Sequence, residues 1–352
     1  MKKIFLYTYA HRNLGDDLFI KTICDRYPNT EFYMECLPEF ATPFKKIANL
    51  HIIKKNLFFK VSNKFLSIRL KKIRECDATV ILGGSMFIQG ANGNWKEKLS
   101  LLKEMQKNSD KFFVIGANFG PYTSKEFKSE YNKFFADMDD VCFRDKKSVS
   151  LFENINNVRL GSDVVFDLKF PTITKKDKLT VIPISLKNRS DLMLFEKDYI
   201  NRLVKIIIEA DKRNKMITLH SFCADQGDEE VIEQILSQLD SKLAKKITIV
   251  NYQGNIEESL RSLGESALIV TTRFHGMILG WLSQSKVFPI RYDIKMDNLL
   301  SDLQLDSFGC SVENIVNVDI DSIFNEGSVN VAMEDVRNLY NSPFQILDKL
   351  LD

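Results

Sequence analysis

Near its carboxyl end the chain reads TTRFHGMILGW (271–281), with an Arg, an aromatic and a His directly behind the apolar run 267–270. The run reads as a strand, and helical spacing follows over 274–282. Arg273 and His275 are therefore expected at a strand-to-helix junction, where unpaired helix N–H groups favour an anion. Arg273 adds a fixed charge on a planar fork suited to phosphate or carboxylate. His275 adds a group that gives or takes a proton near neutral pH. A lone His is most often structural; an Arg two positions earlier and a helix start set this one apart. Phe274 is expected to pack inward. In YDIKMDNLL (292–300), Lys295 either supplies another positive charge or is an ordinary solvated loop Lys.

Other polar clusters follow apolar runs. In HRNLGDDLF (11–19), Gly15 permits a tight turn, and Asp16 or Asp17 stands where an N-cap is common. With Asn13, Gly15 and Asp16 crowded together, one carboxylate could take a proton from a sugar hydroxyl. In LGGSMF (82–87), Gly83 and Gly84 either let a ligand approach backbone N–H groups or simply turn the chain. No GK[ST] follows, so this is not a P-loop. GANFGP (116–121), with Asn118, poses the same two choices. In FRDKKS (143–148), Arg144 closes a short strand as a candidate anion clamp, and Asp145 caps a helix. His220, Asp225 and Asp228 in HSFCADQGDEE (220–230) either meet a substrate or, for the two acids, cap helices.

The elements that position these clusters alternate. Strand patterns at 4–9, 31–36, 79–84, 111–121 (a strand that runs into a turn) and 141–145 are separated by helical patterns at 16–27, 95–106 and 127–138. A Gly-, Pro- and Lys-containing stretch at 161–178 breaks the series like a linker. Strands then resume at 180–186, 216–222, 246–250, 267–272 and 287–292, with helices at 199–213, 229–239 and 274–282. The pattern implies an α/β fold of two doubly wound, Rossmann-like domains, 1–170 and 171–352, facing a cleft.

The 352 residues are 44% hydrophobic and 27% charged, with a net charge of +2, so no global charge bias marks a nucleic-acid binder. Six dispersed cysteines form no C-x-x-C pair, which points to reduced, buried thiols in a cytoplasmic protein and away from zinc. No metal-ligand cluster is visible. The opening MKKIFLYTYAHRN reads as a first strand, and no window is long and apolar enough to span a bilayer. The segment 57–74 has Phe58, Val61, Phe65 and Ile68 on one helical face and Lys60, Lys64, Arg69, Lys71, Lys72 and Arg74 on the others. It is expected to pack on the sheet with a solvated basic face, or to touch an anionic membrane surface peripherally.

Taken in order, NLGDDL, ILGGSMF, IGANFGP, FRDKKS, GSDVVF, TTRFHGMILGW and FPIRYDIKMDNLL resemble the polysaccharide pyruvyl transferase family. The RFH element followed by Tyr-Asp-x-Lys is the most specific part. The resemblance implies a two-domain fold like that of GT-B glycosyltransferases. It implies transfer of pyruvate from phosphoenolpyruvate to two hydroxyls of a cell-surface sugar or lipid-linked precursor, with no cofactor or metal. It matches Arg144 to the family's Arg-Asp element, Arg273 and His275 to its Arg-x-His element and Asp16 to the Asp of its N-x-GD element. With the readings above, donor binding is expected at Arg144, Arg273, Phe274, Lys295, Gly83 and Gly84 and acceptor binding at Asn13, Gly15 and Asn118, with His275 as the acid and Asp16 as the base or the residue that orients the acceptor. The competing expectations are a glycosyltransferase of the same fold with a nucleotide-sugar donor, and a non-catalytic binding protein.

Overall fold

The computed structural model describes residues 1–54, 63–90, 94–187, 189 and 191–351. The chain divides into two compact units. One holds Met1–His11, Asp16–Leu168 and Arg337–Asp352; the other holds Arg12–Gly15 and Lys169–Val336.

The first domain runs β1 (Lys3–Tyr7), α1 (Leu14–Arg26), β2 (Glu31–Cys36), β3 (Leu50–Lys54), α2 (Asn63–Arg74), β4 (Ala78–Phe87), α3 (Trp95–Lys107), β5 (Phe112–Phe119), α4 (Lys125–Ala136), β6 (Asp140–Phe143), α5 (Lys146–Ser150) and β7 (Val158–Leu160). Its strands are parallel, in the order β3-β2-β1-β4-β5-β6-β7. Every residue of β5 is buried, as expected for a strand covered on both faces. Under β4–β6 lies an aromatic cluster in which Phe87 meets Phe135 edge-on at 5.0 Å and Phe119 meets Phe152 at 4.8 Å. Each such ring contributes about 1.5–3 kcal/mol by burial. The cluster fixes the carboxyl ends of these strands.

The second domain runs β8 (Lys176–Ile182), α6 (Glu196–Lys212), β9 (Met216–Ser221), α7 (Asp228–Ser237), α8 (Ser241–Lys246), β10 (Thr248–Asn251), α9 (Ile256–Gly264), β11 (Ser266–Thr271), α10 (Phe274–Leu282), β12 (Lys286–Arg291), α11 (Ile294–Asp302) and β13 (Cys310–Ser311). The strands are again parallel, ordered β10-β9-β8-β11-β12-β13. Helix α6 buries Tyr199, Ile200, Leu203, Val204 and Ile207, the spacing of a helix laid on a sheet.

Three features differ from the sequence expectations. First, LGGSMF and GANF are not turns. They lie inside β4 and β5, whose pairing shifts register between Gly84 and Phe87. Gly83 and Gly84 sit at φ +67° and +69°, so the strand kinks through left-handed backbone and resumes. Second, the last sixteen residues, 337–352, pack with the first domain. Arg159 donates to the carbonyls of Ser342 (2.9 Å) and Pro343 (2.8 Å), and Arg26 pairs with Asp348 at 2.8 Å. Such pairings between distant segments leave no periodic trace. Third, the expected faces of the basic helix are rotated. Ile68 is exposed, whereas Arg69 is buried and bonds Glu35 of β2 through two nitrogens, at 2.9 and 2.5 Å. A buried carboxylate at a strand end must be paired, and it draws the Arg inward. Phe58, Lys60 and Val61 lie outside the described residues.

Candidate functional site

In each sheet the strand order reverses once, between β1 and β4 and between β8 and β11. Ligands of open α/β sheets bind at the carboxyl ends beside such a reversal, where the flanking loops diverge. Both groups of candidate residues are found there.

In the first domain the group is built on α1 and on β4–β7. A methyl group built on Gly83 would stand 2.6 Å from Cε2 of Phe19, and one on Gly84 would stand 3.4 Å from Asp16 Oδ1. The missing side chains therefore make room for the Phe19 ring and bring the Asp16 carboxylate against the kink. For Gly83 this is a packing role. Arg144, just past β6, is buried; its Nη1 donates to Asp163 Oδ2 (2.7 Å) and its Nη2 to Asn118 Oδ1 (2.6 Å). Asn118 Oδ1 also accepts from the Ser85 hydroxyl (3.0 Å), and its Nδ2 donates to the Gly120 carbonyl (3.4 Å). Asn118, expected on the acceptor, thus orients Arg144 and ties β5 to β4. Asp145 is the cap foreseen from sequence: it accepts from the Ser148 N–H (2.8 Å) and hydroxyl (2.9 Å).

In the second domain the group surrounds the head of α10. Arg273 is its N-cap residue, with extended backbone (φ −94°, ψ 129°). The Thr271 hydroxyl accepts from the Arg273 N–H (3.0 Å) and donates to its carbonyl (3.1 Å), which fixes the exit from β11. The Arg273 guanidinium is buried. Nε donates to Asp228 at 3.1 Å, Nη2 reaches the same carboxylate, and Nη1 bonds Gln226. Asp228 also accepts from the Phe222 (2.9 Å) and Cys223 (3.0 Å) N–H groups. Burial opposes the Arg273 charge, but Asp228 together with Tyr292 and Cys223 outweighs it and holds the guanidinium above its ordinary pKa. An anion at Arg273 must share it with Asp228.

His275 stands in the first turn of α10, its ring edge-on to Phe274 at 5.1 Å. The Gly15 backbone lies against its imidazole. A methyl group on Gly15 would be 2.7 Å from Cε1 and closer still to Cγ and Nδ1. Residues 12–15 belong with this domain because Leu14 N–H bonds the Phe222 carbonyl (3.1 Å) and Arg12 bonds Gln253 (3.0 Å). Asn13 Oδ1 accepts from the Gly15 N–H at 3.2 Å, so it caps the start of α1. Asp16 is the next residue in the chain. Lys295 opens α11. Its Nζ lies 3.4 Å from Asp293, 5.4 Å from the Tyr292 ring and 5.9 Å from the Phe274 ring. Burial pushes the Asp293 carboxyl up, but Lys295, with two hydrogen bonds, and Arg189 bring it below the usual range.

Two sequence candidates fall away. His220 is fully buried beneath α9, its Nε2 3.1 Å from the Ser259 hydroxyl, and burial pushes its pKa down to about 3. Asp228 meets Arg273 instead of a substrate. Sequence reasoning missed the roles of Asp163 and Asp228 as the arginines' counter-ions. A buried Arg needs a carboxylate, and acids just past neighbouring strand ends were the available signal. It also missed Lys98, whose Nζ bonds the Met86 carbonyl beyond the kink and has no carboxylate partner among the described residues. All six cysteines are buried and unbridged; burial pushes the Cys142 thiol up to about 12, which makes it inert. Among the described residues no group of His, Cys, Asp and Glu is placed to hold a metal, and no helix is long and apolar enough to cross a membrane.

Comparison with known proteins gives a family and a fold. The family model for polysaccharide pyruvyl transferase matches residues 13–294. No curated protein matches the chain significantly. Among solved structures, the UDP-GlcNAc 2-epimerase of Neisseria meningitidis, bound to UDP-GlcNAc, superposes with TM-score 0.60 at 10% identity, covering 100% of each chain. The UDP-GlcNAc 2-epimerase of Methanocaldococcus jannaschii gives 0.58 at 12%, covering 99% of each. The ADP-heptose LPS heptosyltransferase II of E. coli gives 0.51 at 10%, covering 97% of this chain and 98% of that one. At such identities the likeness shows the fold alone: two Rossmann-like α/β domains of the GT-B kind.

Proposed function

The chain belongs to the polysaccharide pyruvyl transferase family, and on that premise we propose that it moves pyruvate from phosphoenolpyruvate onto two hydroxyls of one sugar. The observation that carries the reading is the seat of His275. It stands in the first turn of α10, at the strand-order reversal of its sheet, with its ring held against Gly15.

Phosphoenolpyruvate carries a phosphate and a carboxylate on an enol carbon. His275 gives a proton to the methylene carbon, which becomes a methyl group, and positive charge develops at the neighbouring carbon. A sugar hydroxyl oxygen attacks that carbon and loses its proton to Asp16. The carbon–oxygen bond to phosphate then breaks, phosphate leaves with the bonding pair and the proton held by Asp16, and the second hydroxyl closes the ketal. The second hydroxyl's proton returns to the imidazole. The amino end of α10, Lys295 and the remaining N–H bonds of Arg273 take up the donor's negative charge. Arg144, neutralised by Asp163, supplies directed N–H donors more than net charge.

A second reading has its own support. The Neisseria epimerase was solved with UDP-GlcNAc, so a nucleotide-sugar donor on this fold competes with phosphoenolpyruvate. Calorimetry with each donor decides between them. Saturable binding of phosphoenolpyruvate to the wild type, weakened at least tenfold in Arg273→Ala, supports pyruvyl transfer. Binding of UDP or a UDP-sugar with no heat from phosphoenolpyruvate would overturn it. We also propose that the exposed flank of α2, with Ile68, Lys71 and Arg74, allows peripheral contact with an anionic membrane carrying the acceptor.

A further inference from the structure

Three aromatic rings in the first domain take no part in the scheme above. Tyr9 and His11 follow β1, and Phe40 ends the short 3-10 turn Pro38–Phe40 that follows β2. Tyr9 stacks on His11 at 4.3 Å with 15° between planes, and His11 meets Phe40 at 4.7 Å and 39°. Tyr9 is 45% exposed. The loop bearing it is pinned to β4 where the Thr8 hydroxyl donates to the Leu82 carbonyl at 3.1 Å. The rings thus stand at the carboxyl edge of the sheet, beside the reversal between β1 and β4.

We propose that Tyr9, His11 and Phe40 form a platform on which a pyranose ring of the acceptor stacks; the proposal rests on the pyruvyl-transferase reading for calling that sugar the acceptor. An exposed ring locked in a stack has already lost its rotamer freedom, so a ligand that covers it gains apolar contact at small entropic cost. A pyranose offers a face of C–H bonds with slight positive charge, and the face of an aromatic ring is negative. The pyruvyl-transferase reading supplies such a sugar, and a nucleotide base, which would also stack on these rings, is read as an outcome of the test.

Saturation-transfer NMR on the full chain tests this. The probes are methyl β-galactopyranoside, methyl β-glucopyranoside, methyl N-acetyl-β-mannosaminide and UMP. At least one glycoside should bind saturably, with its strongest saturation on the C–H protons of one ring face. Tyr9→Ala and Phe40→Ala should each weaken it by about tenfold or more, whereas Tyr9→Phe, which keeps the ring, should stay within about threefold. The proposal is overturned if no glycoside binds the wild type, if both alanine variants bind like it, or if UMP alone is lost in them. Phosphoenolpyruvate calorimetry on the same samples reads the donor separately. Failure there refutes pyruvyl transfer and leaves the platform result standing.

Discussion

Replacing Gly15 with Ala tests the seat of His275 most directly. A methyl group there would lie 2.7 Å from Cε1, against an ordinary contact of at least 3.4 Å, so the ring must move by more than 0.7 Å (3.4 less 2.7). Overpacking of this kind costs about 1–3 kcal/mol. The first turn of α1 would gain up to ~1 kcal/mol in helix propensity from the same change. With the full gain, the net loss in the wild-type background should be about 0–2 kcal/mol. In a His275→Ala background the clash is gone and the gain remains, so Gly15→Ala should become neutral or stabilising. The coupling between the two changes should be about 1–3 kcal/mol. Urea denaturation of a Trp95→Phe version measures it, because Trp281 on α10 is then the sole tryptophan reporter. On the proposed pyruvyl transfer, turnover of phosphoenolpyruvate should fall by about a hundredfold in Gly15→Ala, since a 1 Å misplacement of a reacting group costs on that order. The reasoning is refuted if Gly15→Ala shifts stability equally in both backgrounds, or if the single variant turns over like the wild type.

Asp228→Asn leaves the buried Arg273 without its counter-ion and should cost about 3–5 kcal/mol by urea denaturation; a loss under ~1 kcal/mol would show that the pair does not hold the head of α10. His220 makes stability depend on pH: its pKa falls from 6.5 unfolded to about 3 folded, so its contribution is complete above pH ~6.5 and is lost as pH drops toward 3. His220→Gln, which can still bond Ser259, should lose about 3 kcal/mol less than the wild type between pH 7 and pH 4; equal slopes would reject this account. Sedimentation with anionic vesicles should recover less of a Lys71→Glu/Lys72→Glu variant than of the wild type, and equal recovery would remove α2 from the membrane.

Much of the fold was legible in the order of residues because a parallel sheet buried on both faces needs continuous apolar runs, and the helices covering it need a 3.6-residue stripe. Runs such as 111–115 and 267–272 could be little else. The RFH junction was legible for the same reason: an apolar strand followed by a helical pattern puts Arg273 and His275 at a helix start whatever surrounds them. The sequence by itself thus determined the two α/β domains, the family and the positions of the candidate acid and arginines along the chain.

Tertiary structure alone decided what those residues touch. Gly15 and His275 are 260 positions apart (275 less 15), and only folding shows that the glycine leaves space for the imidazole. The same holds for Arg144 with Asp163, Arg273 with Asp228, and Arg69 with Glu35, where a buried charge takes whichever carboxylate the topology brings near. Gly83 and Gly84 looked like a turn because glycine pairs usually end strands; the Phe19 ring and the Asp16 carboxylate, supplied by α1, made them a kink within one. Local pattern follows from backbone geometry and periodic burial, which neighbours in sequence share. Charge pairing and close packing depend on distances between segments that no local pattern encodes.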